Sequence, residues 1–351
     1  MIIMRAIDYF GASSVGRVLI FAGAGASKGV SPQNFPTTVE FFEQIPSDIK
    51  RNKYFELVSE YLMADKGTSV IDIEMILWAL QQLRDDFLSI SGKGSVTGFA
   101  FSSEFVNRVI DSRNVGHINQ ISAAVVSEVD QLMGNINGLV YNLYSYEPAQ
   151  SELEQNWINL ISKFVGVGDS LEIVTTNYDI AIEAALDIIQ GPETSKEWRG
   201  ITGRIRHKLD LARWVGERSH VGRLTKLHGS LDWKRAGEDI FVGDSVFTGD
   251  HKKQMIIYPG FKGSVFDQQF STLHSYFSDV LYESDIIIFV GFAFRDEYIN
   301  NIIRSAINPS SRVYVVNPDA SVRMPTTRGR IKYIAGYFDE SSIAKISLPR
   351  G

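Results

Sequence analysis

The fold is decided by the run Val18-Leu19-Ile20-Phe21, which Gly23-Ala24-Gly25-Ala26-Ser27 follows almost at once. A compact apolar run of this kind is typical of a strand that is buried on both faces of a sheet. Small residues after the strand allow a tight turn into a helix. They also let the backbone approach a pyrophosphate group, which the N-terminus of a helix attracts. The stretch therefore predicts the opening of a nucleotide-binding fold.

The later part of the chain, from about Gly166 onward, alternates between short apolar runs and helical patterns. The predicted strands are residues 171–176, 223–227, 255–258, 286–290 and 312–316. The predicted helices are residues 181–189, a segment from a capping box at 264–267 to about 282, and residues 296–306. Such alternation predicts the α/β class, with a Rossmann-like parallel sheet and helices on both of its faces.

The stretch between these two parts carries apolar side chains at helical spacing. Three such stripes are Ile73, Ile76, Leu77, Leu80 and Leu83; Ile118, Ile121, Val125 and Val129; and Leu153, Trp157, Leu160, Ile161 and Phe164. Core packing explains stripes of this kind more often than oligomer contacts do. The predicted organisation is a discontinuous nucleotide-binding domain, residues 1–40 and 166–351, interrupted by a mostly helical insert at residues 41–165.

Composition and charge exclude several classes of protein. The 351 residues are 44% hydrophobic and 22% charged, as expected for a globular protein, and the net charge of -6 without a basic cluster argues against direct nucleic-acid binding. The chain has no cysteine, so disulfides, thiolate zinc sites and cysteine nucleophiles are excluded. The longest apolar run, residues 286–294, is too short to cross a membrane, and residues 1–10 carry charges in place of an apolar signal sequence. We expect a cytoplasmic protein.

Polar or glycine-bearing segments follow the predicted strands directly. They are residues 23–27, 177–179, 228–230, 291–295 and 317–319. In an open parallel sheet, ligands bind where the carboxyl ends of the strands meet. The pattern therefore predicts that five segments converge on one rim. One Gly-x-Gly alone would be weak support, because Lys28 stands where the usual dehydrogenase pattern has its third glycine.

These segments together resemble a known family. The runs at 23–27, Thr176-Asn177-Tyr178-Asp179 and Leu227-His228-Gly229-Ser230 resemble the three signature segments of sirtuins, in order. Gly291-Phe292-Ala293 and Asn317-Pro318-Asp319 are similar to the later segments that sirtuins place around the dinucleotide. The runs at 72–77, 231–233 and 257–262 look closer to the bacterial sirtuin-like branch of anti-phage defence.

The departures from the deacetylase pattern favour a different reaction. Sirtuin deacetylases carry a four-cysteine zinc ribbon, and this chain has no cysteine, so we expect no zinc or other metal. The family's Pro-Asp-Phe-Arg run corresponds to Pro36-Thr37-Thr38-Val39 here, and Thr176 replaces the expected glutamine. The resemblance thus implies NAD as a substrate but puts protein deacylation in doubt.

The resemblance also suggests a role for each site residue. Asn177 would hydrogen-bond the nicotinamide amide or an ordered water, Asp179 would accept from the carboxamide nitrogen, and His228 would act as general base on water or a ribose hydroxyl. Ser27 and the amides near Gly25 would hold phosphate, and Asn317 and Asp319 would contact the adenosine ribose. The other expected cofactor-binding residues are Gly23, Ala24, Pro36, Thr37, Thr176, Gly291 and Phe292.

Each role has a purely structural alternative. His228 could be a capping or core residue, Asn177 could be a helix N-cap, and Asp179 could simply favour a helix dipole. We interpret Arg295-Asp296-Glu297 as an exposed helix start. The remaining histidines, His117, His207, His220, His251 and His274, are expected to be exposed or structural.

The leading hypothesis is an NAD hydrolase that releases nicotinamide and ADP-ribose, or a cyclised product, and depletes NAD in anti-phage defence by abortive infection. The alternatives are an NAD-dependent protein deacylase or ADP-ribosyltransferase, and a non-catalytic subunit that senses NAD or ADP-ribose. The resemblance further implies a homo-oligomer. It also implies external control by a partner such as a HerA-type ATPase, with the helical insert as the contact.

Overall fold

The fold of the protein is given by a computed structural model. The structure describes residues 16–66, 71, 73–90, 118–167, 170–202, 208–210, 222–236, 239–243, 254–256 and 268–347. The predicted capping box at 264–267, the run at 257–262, Asp72, and the histidines His117, His207, His220 and His251 lie outside the described residues. Among the residues it covers, no helix is both long and apolar enough to cross a membrane.

The strands, in chain order, are β1 (Arg17–Ala22), β2 (Ser170–Thr175), β3 (Ile201–Thr202), β4 (Lys208–Leu209), β5 (Arg223–Lys226), β6 (Gly229–Ala236), β7 (Asp239–Val242), β8 (Gln254–Ile256), β9 (Ser284–Val290), β10 (Arg312–Asn317) and β11 (Arg330–Ala335). Six of them form a fully parallel sheet in the order β11-β10-β9-β1-β2-β5. The predicted Rossmann-like parallel sheet is therefore confirmed.

The helices, in chain order, are α1 (Ala24–Val30), α2 (Thr38–Gln44), α3 (Ser47–Lys50), α4 (Lys53–Lys66), α5 (Ile73–Ile90), α6 (Ile118–Tyr144), α7 (Gln150–Leu153), a π-helical segment (Glu154–Ile158), α8 (Asn159–Phe164), α9 (Ala181–Gln190), α10 (Pro192–Trp198), α11 (Gln268–Glu283), α12 (Glu297–Ala306) and α13 (Glu340–Ala344). The predicted helical stretch between the first two strands is present as α2 to α8.

The central strand β1 sends alternate side chains to opposite faces of the sheet. Val18 and Ile20 belong to one buried apolar cluster, and Leu19 and Phe21 belong to another. This two-residue alternation is the geometry of any strand, and a strand covered on both faces needs apolar residues at every position. The sequence run that predicted a doubly buried strand is therefore fully buried, and helices cover both faces.

The helical insert covers the face of the sheet that carries Val18 and Ile20. Ile76 of α5 and Val129 of α6 are fully buried and belong to the same apolar cluster as those two strand residues. The stripes that predicted helices in the insert are thus core packing in the region described. The division of the chain into two domains, at residues 40 and 165, stays a prediction.

A second sheet corrects one strand of the prediction. Strands β3, β4, β7, β6 and β8 form a separate antiparallel sheet in that order. The run predicted at 255–258 contributes to β8, which pairs with β6 and not with the parallel sheet. An apolar run specifies burial but not its partner or direction, which explains the error. The strand predicted at 223–227 is also shorter, because Leu227 and His228 form a turn before β6 begins.

A buried carboxyl group lies in β2, inside the main sheet. Glu172 is 3% exposed, and its Oε2 accepts a 2.8 Å hydrogen bond from the Tyr276 hydroxyl. Burial raises the pKa of Glu172 from its ordinary 4.5 to about 7, although the hydrogen bond from Tyr276 and the charges of Arg17 and Arg223 lower it. Between about pH 4.5 and about pH 7, the folded state therefore keeps a proton on Glu172 that the unfolded state has released.

Because the folded pKa of Glu172 lies above the unfolded one, its contribution to stability is complete below about pH 4.5 and is lost as pH rises towards about pH 7. We expect Glu172→Gln to remove this loss, since its amide oxygen still accepts from Tyr276. Urea unfolding at about pH 5 and about pH 8 should show the variant gaining on the wild type by up to about 3 kcal/mol. Glu43→Gln, an exposed change of the same charge, is the control. An equal pH response of the two variants would contradict this account.

Candidate functional site

The glycine-bearing segments after β1 and β9 lie side by side at the point where the chain changes direction across the sheet. From β1 the chain continues to β2 on one side, whereas from β9 it continues to β10 on the other. Such a switch point opens a crevice at the carboxyl ends of the strands. Here the amide of Gly25 donates to the carbonyl of Gly291 at 2.9 Å, and the amide of Gly23 donates to the carbonyl of Val290 at 2.9 Å.

Two of these glycines are required by the packing of the loops. Gly291 has a φ of +59°, and a Cβ there would collide with the backbone of Gly25 and Ala26. A Cβ on Gly25 would in turn lie 2.9 Å from the Cα of Gly291. Side chains at either position would push the two loops apart. The glycines therefore allow the loops after β1 and β9 to pack backbone against backbone.

Asn177, Ser27 and Asp179 form a buried hydrogen-bond network beside these loops. The Asn177 Nδ2 donates to the Gly23 carbonyl at 2.9 Å and to the Ser27 Oγ at 2.8 Å. The Ser27 hydroxyl donates to Asp179 Oδ2 at 2.6 Å, and Asp179 Oδ1 accepts from the Ala181 amide at 3.1 Å. All three side chains are at most 8% exposed.

The network defines which atoms remain for a ligand. Both protons of the Asn177 amide are engaged, so only its Oδ1 can interact, and only as an acceptor. The single proton of Ser27 is directed to Asp179, so in this arrangement its hydroxyl does not donate to a phosphate. Asp179 Oδ1 also accepts from the amide of Ala181, the first residue of α9, so this carboxyl group has a structural role at the start of the helix.

A buried lysine holds the loop that carries Asn177 and Asp179. Lys226, the last residue of β5, is 2% exposed, and its Nζ donates to the Tyr178 carbonyl at 3.3 Å, to the Asp179 carbonyl at 2.5 Å and to Glu183 Oε1 at 2.8 Å. Burial raises the pKa of Glu183, and the charge of Lys226 opposes that rise. Sequence reasoning missed Lys226. The sequence did contain a signal for it, because Lys226 lies in a predicted strand of the parallel sheet, where a buried charge needs partners.

His228 lies on the same rim and is paired with an acid that the sequence did not indicate. Its ring is 4% exposed, and its Nε2 is 3.3 Å from Asp296 Oδ2. The expectation of an exposed helix start at Arg295-Asp296-Glu297 is therefore wrong for Asp296. Asp296 does cap α12, but its side chain is only 9% exposed because it turns inward to His228. Arg295 and Glu297 are exposed, as expected.

His274 of α11 is a second buried histidine near this pair. Burial is the main reason why the pKa of His274 is lowered from 6.5 to about 4, and the nearby Asp296 carboxylate opposes the shift. Its ring packs edge-on against Tyr298, with centroids 5.0 Å apart. Of the two alternatives expected for His274, exposed or structural, the structure shows a buried side chain. With a pKa of about 4, this histidine is neutral at neutral pH.

Two tyrosine hydroxyls form hydrogen bonds between the helical insert and the rest of the chain near the site. The Tyr178 hydroxyl donates to Glu74 Oε1 of α5 at 2.6 Å, and the Tyr144 hydroxyl of α6 donates to the Pro36 carbonyl at 2.8 Å. Tyr178 also lies beside His228, with ring centroids 6.5 Å apart. Glu74 of the helical insert thus contacts the loop that carries Asn177 and Asp179 directly.

The remaining candidate residues are placed as follows. Thr37 caps α2 and shares a capping box with Glu40, so its side chain is already engaged. Phe292 packs its ring against Phe21 at 4.8 Å, which leaves mainly its backbone for a ligand. Asn317 Nδ2 donates to the Phe292 carbonyl at 3.2 Å, and Asn317 Oδ1 accepts from the Asp319 amide at 2.9 Å.

Three further candidates complete the rim. Ala24 begins α1, and the Thr176 amide donates to the Ala22 carbonyl at 3.2 Å. Asp319 binds the hydroxyl and amide of Ser321, and these hydrogen bonds hold the pKa of Asp319 below its ordinary value. Within the described part of the chain, no group of three or more acidic or histidine side chains is arranged to hold a metal ion.

Residues 171–338 match the SIR2-like domain family. The matched range contains Asn177, Asp179 and His228, together with Asp296 and the segment at 317–319. Among curated protein sequences, no significant match to this chain is found.

Solved structures with a similar chain path include two Sir2 homologues. One is a triple mutant in complex with 2'-O-acetyl ADP ribose; it is 13% identical, with 93% of this chain and 90% of that chain covered and a TM-score of 0.39. The other is a Sir2 homologue in complex with NAD; it is also 13% identical, with coverages of 95% and 88% and a TM-score of 0.36.

The close contact between the loops after β1 and β9 can be tested at Gly291. Gly291→Ala should lower the free energy of unfolding by roughly 2–5 kcal/mol, because it combines a left-handed backbone with a backbone collision. Gly134→Ala is the control. Its Cβ would meet nothing within 4 Å on α6, so we expect a gain of about 0.5–1 kcal/mol. Denaturant unfolding of both variants measures the difference, and a neutral Gly291→Ala would refute the proposed packing.

Proposed function

We propose that this protein binds NAD at the carboxyl ends of the central parallel strands and hydrolyses the nicotinamide–ribose bond. The products are nicotinamide and ADP-ribose. The observation that carries the proposal is the convergence of Asn177, Asp179 and His228 on adjacent loops. Thr175 and Lys226 are register partners on the paired strands β2 and β5, and the three side chains follow them within four residues. The SIR2-like domain match over residues 171–338 supports the same class of ligand.

The chemistry needs few protein groups. Loss of nicotinamide breaks the glycosidic C–N bond and leaves the ribose carbon with oxocarbenium character. Water then adds to that carbon and gives up one proton, which we assign to His228 as general base. A hydroxyl or ring nitrogen of the ADP-ribose in place of water would give a cyclised product.

The network around Ser27 supports a specific orientation of the nicotinamide. The Oδ1 of Asn177 is the amide atom left free to accept from the carboxamide or from an ordered water. Asp179 is a buried carboxylate beside it, and it is proposed to accept from the carboxamide nitrogen. Because both side chains are fixed by hydrogen bonds before a ligand binds, little reorganisation is needed when charge develops.

The rest of the dinucleotide is proposed to follow the rim from β1 to β10. Amides near Gly25 and the backbone of Gly291 and Phe292 would lie beside the phosphates, in the crevice at the switch point. Asn317 and Asp319, which follow β10, would contact the adenosine ribose. The other proposed binding residues are Gly23, Ala24, Pro36, Thr37 and Thr176.

The biological role is a further part of the proposal. Depletion of NAD in anti-phage defence rests on the resemblance of the runs at 72–77, 231–233 and 257–262 to that branch. Control would come from homo-oligomer assembly or from a partner such as a HerA-type ATPase acting through the insert. The hydrogen bond between Glu74 and Tyr178 supports this route, because it joins the insert to a signature loop.

The direct test is incubation of the purified protein with NAD while free nicotinamide and ADP-ribose are measured. We expect wild-type turnover, and His228→Ala should lower kcat on the order of 10²- to 10⁴-fold because the general base is lost. Binding of ADP-ribose, measured by calorimetry, should be retained in His228→Ala. The exposed variant Glu43→Gln should behave as the wild type.

Other outcomes of the same assay identify the alternative functions. Binding of NAD without its consumption, alone or with a partner present, would select a regulatory subunit. Labelled NAD that marks a protein, or NAD consumption that requires an acylated peptide, would select a transferase or deacylase. Wild-type protein that neither binds nor consumes NAD would refute the proposal.

A further inference from the structure

His228, the proposed general base, lies close to the ionisable side chain of Asp296. The two atoms involved are His228 Nε2 and Asp296 Oδ2, at 3.3 Å, and both side chains are at least nine-tenths buried. The other ring nitrogen, His228 Nδ1, is buried and has no hydrogen-bond partner among the described residues. The ring therefore has one nitrogen engaged and one nitrogen free.

The charge of Asp296 determines which nitrogen of His228 carries the proton in the neutral ring. Burial raises the pKa of Asp296, but the hydrogen bonds from His228 and from the amides of Tyr298 and Ile299 outweigh it and hold the pKa below 3.8. An ionised carboxylate can only accept hydrogen bonds, so Nε2 must be the protonated nitrogen that donates to it. The lone pair of the neutral ring is then on Nδ1.

We propose that Asp296 is a positioning residue that holds His228 as the Nε2–H tautomer, so that Nδ1 is the atom that takes the proton from the attacking water. The inference rests on the proposed NAD hydrolysis for its chemical step. Water loses the proton to Nδ1 as its oxygen bonds to the ribose carbon, and the resulting imidazolium is stabilised by the Asp296 carboxylate. The proton later leaves to solvent, which restores the Nε2–H form.

Two other ionisable side chains lie near His228, and neither offers a negative charge to its Nε2–H group. His274 on α11 is neutral at neutral pH, because burial lowers its pKa to about 4. Tyr178, on the loop after β2, donates its hydroxyl proton to Glu74. Among the residues that the structure describes, Asp296 on α12 is the acidic side chain paired with the His228 imidazole, at 3.3 Å.

Asp296 divides its two oxygens between two tasks. Oδ1 accepts from the amides of Tyr298 at 2.9 Å and Ile299 at 3.1 Å and so caps α12, whereas Oδ2 faces His228. Asparagine caps helices about as well as aspartate. Asp296→Asn therefore keeps the cap through its Oδ1 and places an NH₂ group opposite Nε2. An NH₂ group can only donate a hydrogen bond, so the nitrogen that faces it must be unprotonated. In the neutral ring of this variant the proton therefore moves from Nε2 to Nδ1.

The test combines a tautomer measurement with kinetics on the full chain. In ¹⁵N spectra of histidine-labelled protein, with the His228 signal assigned by its loss in His228→Gln, we expect the Nε2–H pattern in the wild type and the Nδ1–H pattern in Asp296→Asn. We expect kcat for nicotinamide release to fall on the order of 10²- to 10⁴-fold with KM nearly unchanged. Glu297→Gln, which removes the neighbouring charge from the same helix turn, should leave both readouts as in the wild type.

A second variant keeps the proposal testable if Asp296→Asn folds poorly. Asp296→Ser retains a capping hydroxyl and removes the partner of Nε2, so the tautomer preference should weaken and kcat should fall. A wild-type Nδ1–H pattern, or Asp296→Asn with wild-type kcat, would overturn the assignment. A wild type that releases no nicotinamide, alone or with a partner present, would instead refute the proposed function, because the tautomer spectra report on Asp296 without any turnover.

Discussion

The site depends on the in-register parallel pairing of β1 with β2 on one side and with β9 on the other. Ala22 is the register partner of both Thr175 and Val290, so three strands end at the same level of the sheet. Residues that follow those strands have to share one edge, however far apart they are in the chain. The glycines at 23, 25 and 291 then allow the loops to approach each other closely, because side chains at 25 and 291 would meet backbone.

Polar groups at this edge stabilise one another because they are cut off from water. A buried amide, hydroxyl or carboxylate costs free energy unless it is hydrogen-bonded. Ser27 satisfies both Asn177 and Asp179, and Lys226 satisfies the carbonyl groups of Tyr178 and Asp179. The side chains that we propose as nicotinamide contacts are thus held by the fold itself. Such pre-organisation is what an enzyme needs to stabilise a short-lived charge.

The helical insert is part of the same physical unit as the sheet face that it covers. Its apolar side chains complete the cluster beneath β1, and its polar contacts reach Tyr178 and Pro36 at the rim. A shift of α5 would move Glu74 away from the Tyr178 hydroxyl and so alter the loop that carries Asn177 and Asp179. This arrangement offers a route by which assembly or a partner could influence the site, in keeping with the external control that we propose.

The sequence by itself determined the parallel sheet, its doubly buried central strand, the helical insert and the segments that meet at the rim. Those features follow from local periodicity and from glycine or polar residues directly after apolar runs, which act over a few residues. The tertiary structure alone decided that Asp296 turns inward to His228, that Lys226 is buried under the signature loop and that residues 254–256 join an antiparallel sheet. It also directed the Ser27 hydroxyl to Asp179 and not outward to a phosphate. Each of these outcomes depends on a partner distant in the chain, and the burial that makes such a contact favourable exists only after the sheet and its covering helices have packed.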